Sequence, residues 1–342
     1  MSRRCVLARS RILPHPAGTA ITTPLLVPSF SSKGFGTGRA GAKEVGKLLD
    51  VSKEQLTDAM LISAYDLHYA RVRRPRSAVA NVTFVDSGGY ETSQYQDLSA
   101  TFIQETKPLA WDERRLKRVY QRWPDYVPAV FVSYDRRGSV SRQAGAAVTL
   151  LSEFSQHLHA FLVKPRTKRD QFISVDDIVA NLDLIGRFQL LGITEKELGS
   201  SMIERMETIA RLRLALDDGG LGRVVIHVFG GLDPITVPLY FLAGAEIFDG
   251  LTWLRFGYHD GAALYRQNSA VRRYGVHQSD DQVKLLSLRQ NLIQLSELTM
   301  QLRRFLTDCD FAKLTPDGTR LREAYDLLFS KNPRVGPAQR VA

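Results

Sequence analysis

Short apolar, β-rich runs recur along the chain and alternate with segments whose apolar residues repeat at helical spacing. Eight runs predict strands, at residues 25–30, 60–64, 82–86, 128–133, 159–164, 188–192, 223–229 and 245–249. Helical periodicity falls between most of them, at 43–50 with 53–57, 113–122, 139–156, 176–184, 200–216 and 234–243. Asp217-Asp218-Gly219-Gly220 is a stop signal for the helix that precedes it. Such alternation implies parallel strands joined by helical crossovers. Eight units fit a (β/α)8 TIM barrel of the α/β class, which takes about 250 residues, better than the open doubly wound sheet that is the alternative. Beyond the eighth strand, 283–306 predicts one long helix with Leu285, Leu286, Leu288, Leu292, Ile293, Leu295, Leu298 and Leu302 as its apolar face, and 321–329 predicts another. The expected division is a barrel over residues 1–275, a helical C-terminal extension over 276–331 and a frayed tail over 332–342.

Composition narrows this picture modestly. The chain has 342 residues, 44% of them hydrophobic and 24% charged, a mix that excludes a disordered chain. The net charge is 46 − 36 = +10, which suits a polyanionic partner. No run approaches the ~18 apolar residues of a membrane span, and the start Met1-Ser2-Arg3-Arg4 lacks the apolar core of a secretory signal. Two cysteines, Cys5 and Cys309, are too few for a disulfide framework or a Cys-rich structural zinc site, so a reducing cytoplasm is the expected compartment.

Chemistry in a TIM barrel sits at the carboxyl ends of the strands. That rule selects Asp86 in Val85-Asp86-Ser87-Gly88-Gly89-Tyr90, Asp135 in Val132-Ser133-Tyr134-Asp135, and Asp249 in Ile247-Phe248-Asp249-Gly250. Carboxylates converging on one mouth can divide nucleophilic and acid–base roles, as in enzymes that cleave glycosidic bonds with retention. An Asp after a strand also serves simply as a cap for the next helix or turn.

The segment Val85-Asp86-Ser87-Gly88-Gly89-Tyr90 resembles the Asp-Ser-Gly-Gly-(Phe/Tyr) signature of the tRNA-guanine transglycosylase family. His227-Val228-Phe229-Gly230-Gly231 and Ala245-Glu246-Ile247-Phe248-Asp249 are similar to that family's two late barrel strands, the second of which ends in its nucleophilic aspartate. Thr23-Pro24-Leu25-Leu26-Val27-Pro28 resembles its opening strand and Leu61-Ile62-Ser63-Ala64-Tyr65-Asp66-Leu67 its second, so the likeness runs from about residue 22 to 255. The resemblance implies Asp249 as the nucleophile at the sugar C1′ and Asp86 as the general acid/base for the departing and arriving bases. It implies Tyr90 as a stacking partner of the base and Asp135 as a hydrogen-bonding partner of its pyrimidine edge. Gly192-Ile193-Thr194 would run beside the base. Glu197, with Glu195 as its competitor, would meet the substituent of a 7-deazaguanine, and Ser87, Gly230 and Gly231 would complete the substrate site. No cofactor or metal is implied.

Two departures from the family pattern bear on the substrate. After the fifth strand the family has a glutamine followed by glycines, where this chain has Phe161-Leu162-Val163-Lys164-Pro165. The family's zinc site needs three closely spaced cysteines and a histidine after the barrel, where Cys309 stands alone. The likeness is therefore greatest to the DNA-modifying branch, which exchanges guanine in DNA for a 7-deazaguanine such as 7-cyano-7-deazaguanine. The expected partners are DNA, with tRNA as the alternative, the free base, and an accessory protein if one presents the base. A non-catalytic barrel subunit that binds nucleic acid is the reading from a different class. Arg73, Arg74 and Arg76, Lys164, Arg166 and Lys168, and Arg255, Arg272 and Arg273 follow the second, fifth and eighth strands and are candidates for phosphate contacts. Gly34-Phe35-Gly36-Thr37-Gly38 lacks the spacing of a dinucleotide fingerprint and reads as a loop over the mouth. His157 and His159 have no third ligand in view and read as structural.

Overall fold

The computed structural model describes residues 7–34, 39–93, 97–99 and 108–335. Residues 35–38 of the glycine-rich stretch and 336–342 of the tail lie outside them. An N-terminal hairpin of β1 (Ile12–Pro14) and β2 (Ala20–Thr22) leads into the barrel. The barrel strands are β3 (Leu25–Phe30), β4 (Ala59–Ser63), β5 (Val82–Asp86), β6 (Ala129–Val132), β7 (Leu158–Leu162), β8 (Leu190–Thr194), β9 (Val225–Phe229) and β10 (Ile247–Gly250). They close in that order, all parallel, with β10 pairing back onto β3. The α/β TIM-barrel architecture is thus as the alternation predicts, with strand ends displaced by one or two residues. The largest displacement is in β8, where Phe188 belongs to the preceding turn and packs into the outer core while the strand runs on to Thr194.

Period-2 alternation divides each strand between two cores. Leu25, Val27, Leu61, Phe84, Val130, Leu162, Leu190, Val225 and Ile247 fill the lumen. Their neighbours Leu26, Ile62, Val85, Phe131, Leu191, Ile193, Val228 and Phe248 pack outward against the helices. The hairpin, which the alternation of strands and helices does not predict, adds Leu13 and Ile21 to the lumen cluster and so plugs the amino end of the barrel. His15 anchors it, its Nε2 lying 2.9 Å from the Ala129 carbonyl oxygen at the start of β6.

Several helices open on side-chain caps. Ser139 accepts from the Arg142 amide, and Ser201 with Glu204 forms a reciprocal capping box. Among the expected helices, the span 139–156 is helical only over Val140–Leu151, and 176–184 is broken into Val175–Val179 and Leu182–Ile185 at Asn181. The span 43–50 lengthens to Arg39–Ser52, and 53–57 is only a 3-10 turn at Lys53–Gln55.

The long C-terminal helix, Asp280–Asp308, packs alongside β3 and so closes the outer layer between the last and first strands. Leu288, Leu292, Leu295, Leu298 and Leu302 form its buried face, whereas Leu285 and Ile293, expected there, are exposed. Buried Asn291 fastens it: its Oδ1 accepts from the Tyr258 amide at 2.7 Å, and its Nδ2 donates to the carbonyls of Trp253 at 2.6 Å and Phe256 at 2.8 Å. A second hairpin, β11 (Gly257–His259) and β12 (Ala262–Leu264), precedes it. Helix Gly318–Lys331 ends in a turn, Pro333–Val335, whose Val335 is buried, so the first part of the expected tail is docked. Among the described residues no helix is long and apolar enough to cross a membrane.

Candidate functional site

The alternation that places apolar side chains in the lumen continues to the carboxyl ends, where the inward positions become polar. On β5 the series Val82, Phe84, Asp86 points inward; on β10 it is Ile247, Asp249; on β3 it is Leu25, Val27, Ser29. A one-residue slip in register would turn each acid out into the helix layer. Asp86 and Asp249 instead line one cavity of about 280 Å³ at the carboxyl end, shared with Tyr90, Asp135, Lys164, Thr194, Glu197 and Gly230. That volume lies near the lower end, roughly 300 Å³, of small-molecule sites.

Asp249 is held from the strands on both sides. Ser29 Oγ on β3 donates to Oδ2 at 2.7 Å, and His227 Nε2 on β9 meets Oδ1 at 3.0 Å. Asp86 has weaker support, with the Gly88 amide donating to Oδ2 at 3.2 Å. Burial pushes the Asp86 carboxyl well above the usual carboxylate range, and Asp135, Glu91 and Asp249 reinforce the shift by charge repulsion. Glu91, on the short helix Gly89–Thr92, is itself buried and accepts hydrogen bonds from Ser31 and, at 2.7 Å, from Ser63 Oγ.

The Gly-Gly pair after Asp86 has a steric basis. A Cβ on Gly89 would collide with the Asp135 carboxyl group, so the glycine admits Asp135 to the cavity wall. Ser87 then fixes that carboxylate, its Oγ donating to Asp135 Oδ1 at 2.5 Å. Ser87 thus reaches the site through Asp135 and does not line the cavity. Gly192 is required by an intramolecular neighbour, since a Cβ there would meet the Phe229 ring at 2.7 Å. Of the expected backbone segment, Thr194 lines the cavity, while Ile193 points outward into the helix layer. Gly231 likewise stands behind the wall, facing Val228 and Tyr240.

Lys164 stands where the resemblance leads one to expect a glutamine. Its ammonium lies 2.9 Å from Glu197 Oε2, an ionic contact off the line of a directed hydrogen bond, 3.0 Å from Thr194 Oγ1, and 3.8 Å from Asp135 Oδ2. Of the two competing glutamates, Glu197 faces the cavity. Glu195 turns away to accept from the Tyr240 hydroxyl at 2.8 Å, and burial raises it to about 7. Tyr90 is fixed at its hydroxyl and over its ring: the hydroxyl donates to Asp97 Oδ2 at 2.9 Å and accepts from Arg255 at 3.1 Å, and the Lys33 ammonium lies 4.3 Å from the ring centre. Arg255 also pairs with Asp97.

Two of the basic residues expected on a phosphate-facing surface are therefore internal. Lys164 and Arg255 have side chains 12% and 11% exposed and are paired with acids of the site. Arg73, Arg74, Arg76, Arg166, Lys168, Arg272 and Arg273 are exposed. His157 and His159 are structural: His157 is buried against Phe131 at 4.5 Å, with burial lowering it to about 4, and His159 Nε2 lies 3.0 Å from the Phe154 carbonyl oxygen.

Sequence reasoning missed Ser29, His227, Glu91, Asp97 and Lys33. Ser29 and His227 carried a usable signal, since each is polar at an inward position of a strand whose other inward residues are apolar. Glu91 and Asp97 carried none; they reach the site through a short helix and a connecting segment. No family model matches the chain, and no curated protein matches it significantly.

Proposed function

We propose that the chain is a base-exchange glycosyltransferase that replaces guanine in DNA with a 7-deazaguanine, such as the 7-cyano form, through a covalent aspartyl-glycosyl intermediate. The observation that carries this reading is the pairing of Asp249 and Asp86 on one base-sized cavity in contrasting environments. Asp249 meets two donors and is aimed by them, as a carboxylate nucleophile requires. Asp86 is raised by burial, as a group that must carry a proton near neutral pH requires.

In the first step an Asp249 oxygen bonds to the sugar C1′ as the bond from C1′ to guanine breaks. The electron pair leaves with the base, which takes its proton from Asp86. In the second, the incoming 7-deazaguanine gives a proton to Asp86, its ring nitrogen attacks C1′, and the Asp249 carboxylate departs. Two inversions give retention. The base must leave its stack to enter so small a cavity, at a cost of a few kcal/mol. DNA is favoured over tRNA because two cysteines cannot supply the three-cysteine zinc site that the resemblance associates with the tRNA enzymes.

Labelled 7-deazaguanine offered with duplex DNA and with tRNA tests the proposal. Label in DNA is the expected result, and label in tRNA alone moves the substrate to tRNA. Label in neither, from folded protein, leaves the non-catalytic reading in its place.

A further inference from the structure

We propose that His227 is a positioning residue for Asp249, clamping its carboxylate in concert with Ser29; the role rests on the base-exchange reading of Asp249. Asp249 ends a strand flanked by β9 and β3, and each neighbour sends one donor to a different oxygen. His227 has no exposed surface. Its ring lies 3.9 Å from that of Phe229, nearly parallel at 27°, and 5.2 Å from Phe84, edge-on at 74°. Its Nδ1 is buried with no hydrogen-bond partner among the described residues. A hydrogen on Nδ1 would thus be a buried donor without an acceptor, whereas a hydrogen on Nε2 points at a carboxylate. The geometry assigns the proton to Nε2 and the donating role to His227.

The clamp leaves chemistry available, because each carboxylate oxygen has about two lone-pair directions and each donor takes one. It removes rotation about the Asp249 side chain, so that the attacking oxygen meets C1′ in a single geometry. Two aromatic rings rather than polar neighbours hold the imidazole, which fixes its plane without competing for its hydrogen.

The test has two arms. Nitrogen-15 spectra of histidine-labelled protein are expected to show His227 as the Nε2–H tautomer; a proton on Nδ1 alone overturns the clamp whatever the protein's activity. In single-turnover covalent capture on DNA, His227→Phe retains the ring stack and loses the donor, and is expected to slow capture by about 10–100-fold with KM for DNA unchanged. His227→Gln, which keeps an N–H in reach, is expected to recover part of that loss, and Ser29→Ala to lower the rate in the same direction. Thermal unfolding of each variant separates a lost donor from a lost fold: rates that follow stability across the set overturn the positioning role. So does wild-type capture by His227→Phe. If the wild-type protein captures neither DNA nor tRNA, the exchange reading itself has failed, and the tautomer still decides whether the clamp exists.

Discussion

At the amino end of the barrel, wholly buried Arg213 lies 2.9 Å from Asp217 and 3.5 Å from Glu246, with Arg9 adding a bidentate grip on Asp217 and Arg11 reaching Glu246 at 2.8 Å. At the carboxyl end, Asp249 is met by a hydroxyl and an imidazole, and Asp86 by a backbone amide, while other acids crowd the same cavity. Both ends bury carboxylates, but among the described residues Asp217 and Glu246 have guanidinium partners whereas Asp86 and Asp249 have none. Burial would raise Asp217, yet the Arg9 hydrogen bonds and the Arg213 charge outweigh it and hold that carboxyl low. Asp86, without such a partner, is raised. The amino end uses its charges to fasten the N-terminal segment to the barrel. The carboxyl end leaves Asp86 and Asp249 without a cationic partner among the described residues, as the proposed proton and covalent chemistry requires.

The sharpest way to break this contrast is to remove one acid and one arginine and compare the losses. Asp249→Ala is expected to lower base exchange by at least ~10³-fold while leaving a folded barrel, since the carboxylate is the bond-forming group of the proposed reaction. Measured exchange near the wild-type rate in that variant would end the assignment. Arg213→Met is expected to do the reverse. It leaves buried Glu246 with Arg11 alone and should cost about 3 kcal/mol of stability in denaturant titration, the lower end for breaking a buried pair. Exchange per folded molecule should be unchanged, and a loss of turnover without a loss of stability would move Arg213 from the scaffold to the chemistry.

The two ends should also respond to pH with opposite sign. Glu195, near the carboxyl end, is raised to about 7, first by burial. Its contribution to stability is fully present below the unfolded value near 4.5 and is lost as pH rises through about 7. A shift of that size is worth roughly 2–4 kcal/mol. Asp217 is lowered, so its contribution is present above the unfolded value and is lost as the medium becomes more acid. Thermal midpoints of Glu195→Gln should therefore fall less than wild type between pH 5 and 8. Those of Asp217→Asn should fall less on the acid side. Parallel curves for both variants would contradict the difference in burial and pairing.

The fold was largely legible because a closed parallel barrel writes itself into sequence as a repeated alternation of buried strand and amphipathic helix. Asp86 and Asp249 were legible for the same reason: each terminates an apolar run at an inward position. The partners of those acids were harder to read. Whether His227 serves packing or chemistry depends on which strand lies beside β9, and the barrel's closure decides that. Lys164 and Arg255 look like surface cations by position along the chain, but Glu197 and Asp97 come from other segments and neutralise them inside. The plug hairpin was missed because its strands are three residues each, too short for alternation to register.

The smallest expected effect is on nucleic-acid binding, where internal and exposed cations should behave differently. Exposed Arg74 and Arg166 follow the second and fifth barrel strands, and both remain available for phosphate contacts in the proposed complex. Replacing either with alanine should weaken DNA binding a few-fold and reduce the slope of log affinity against log salt by about 1 for each phosphate no longer neutralised. Arg255→Ala should leave that slope unchanged, because its guanidinium is committed to Asp97 and the Tyr90 hydroxyl. Its effect should fall on capture of the base, through a Tyr90 ring no longer fixed from its hydroxyl end. Binding isotherms at three or more salt concentrations for the three variants separate the two behaviours. If Arg255→Ala changes the slope as much as Arg74→Ala does, Arg255 meets phosphate in the complex and the internal pairing is broken when nucleic acid binds.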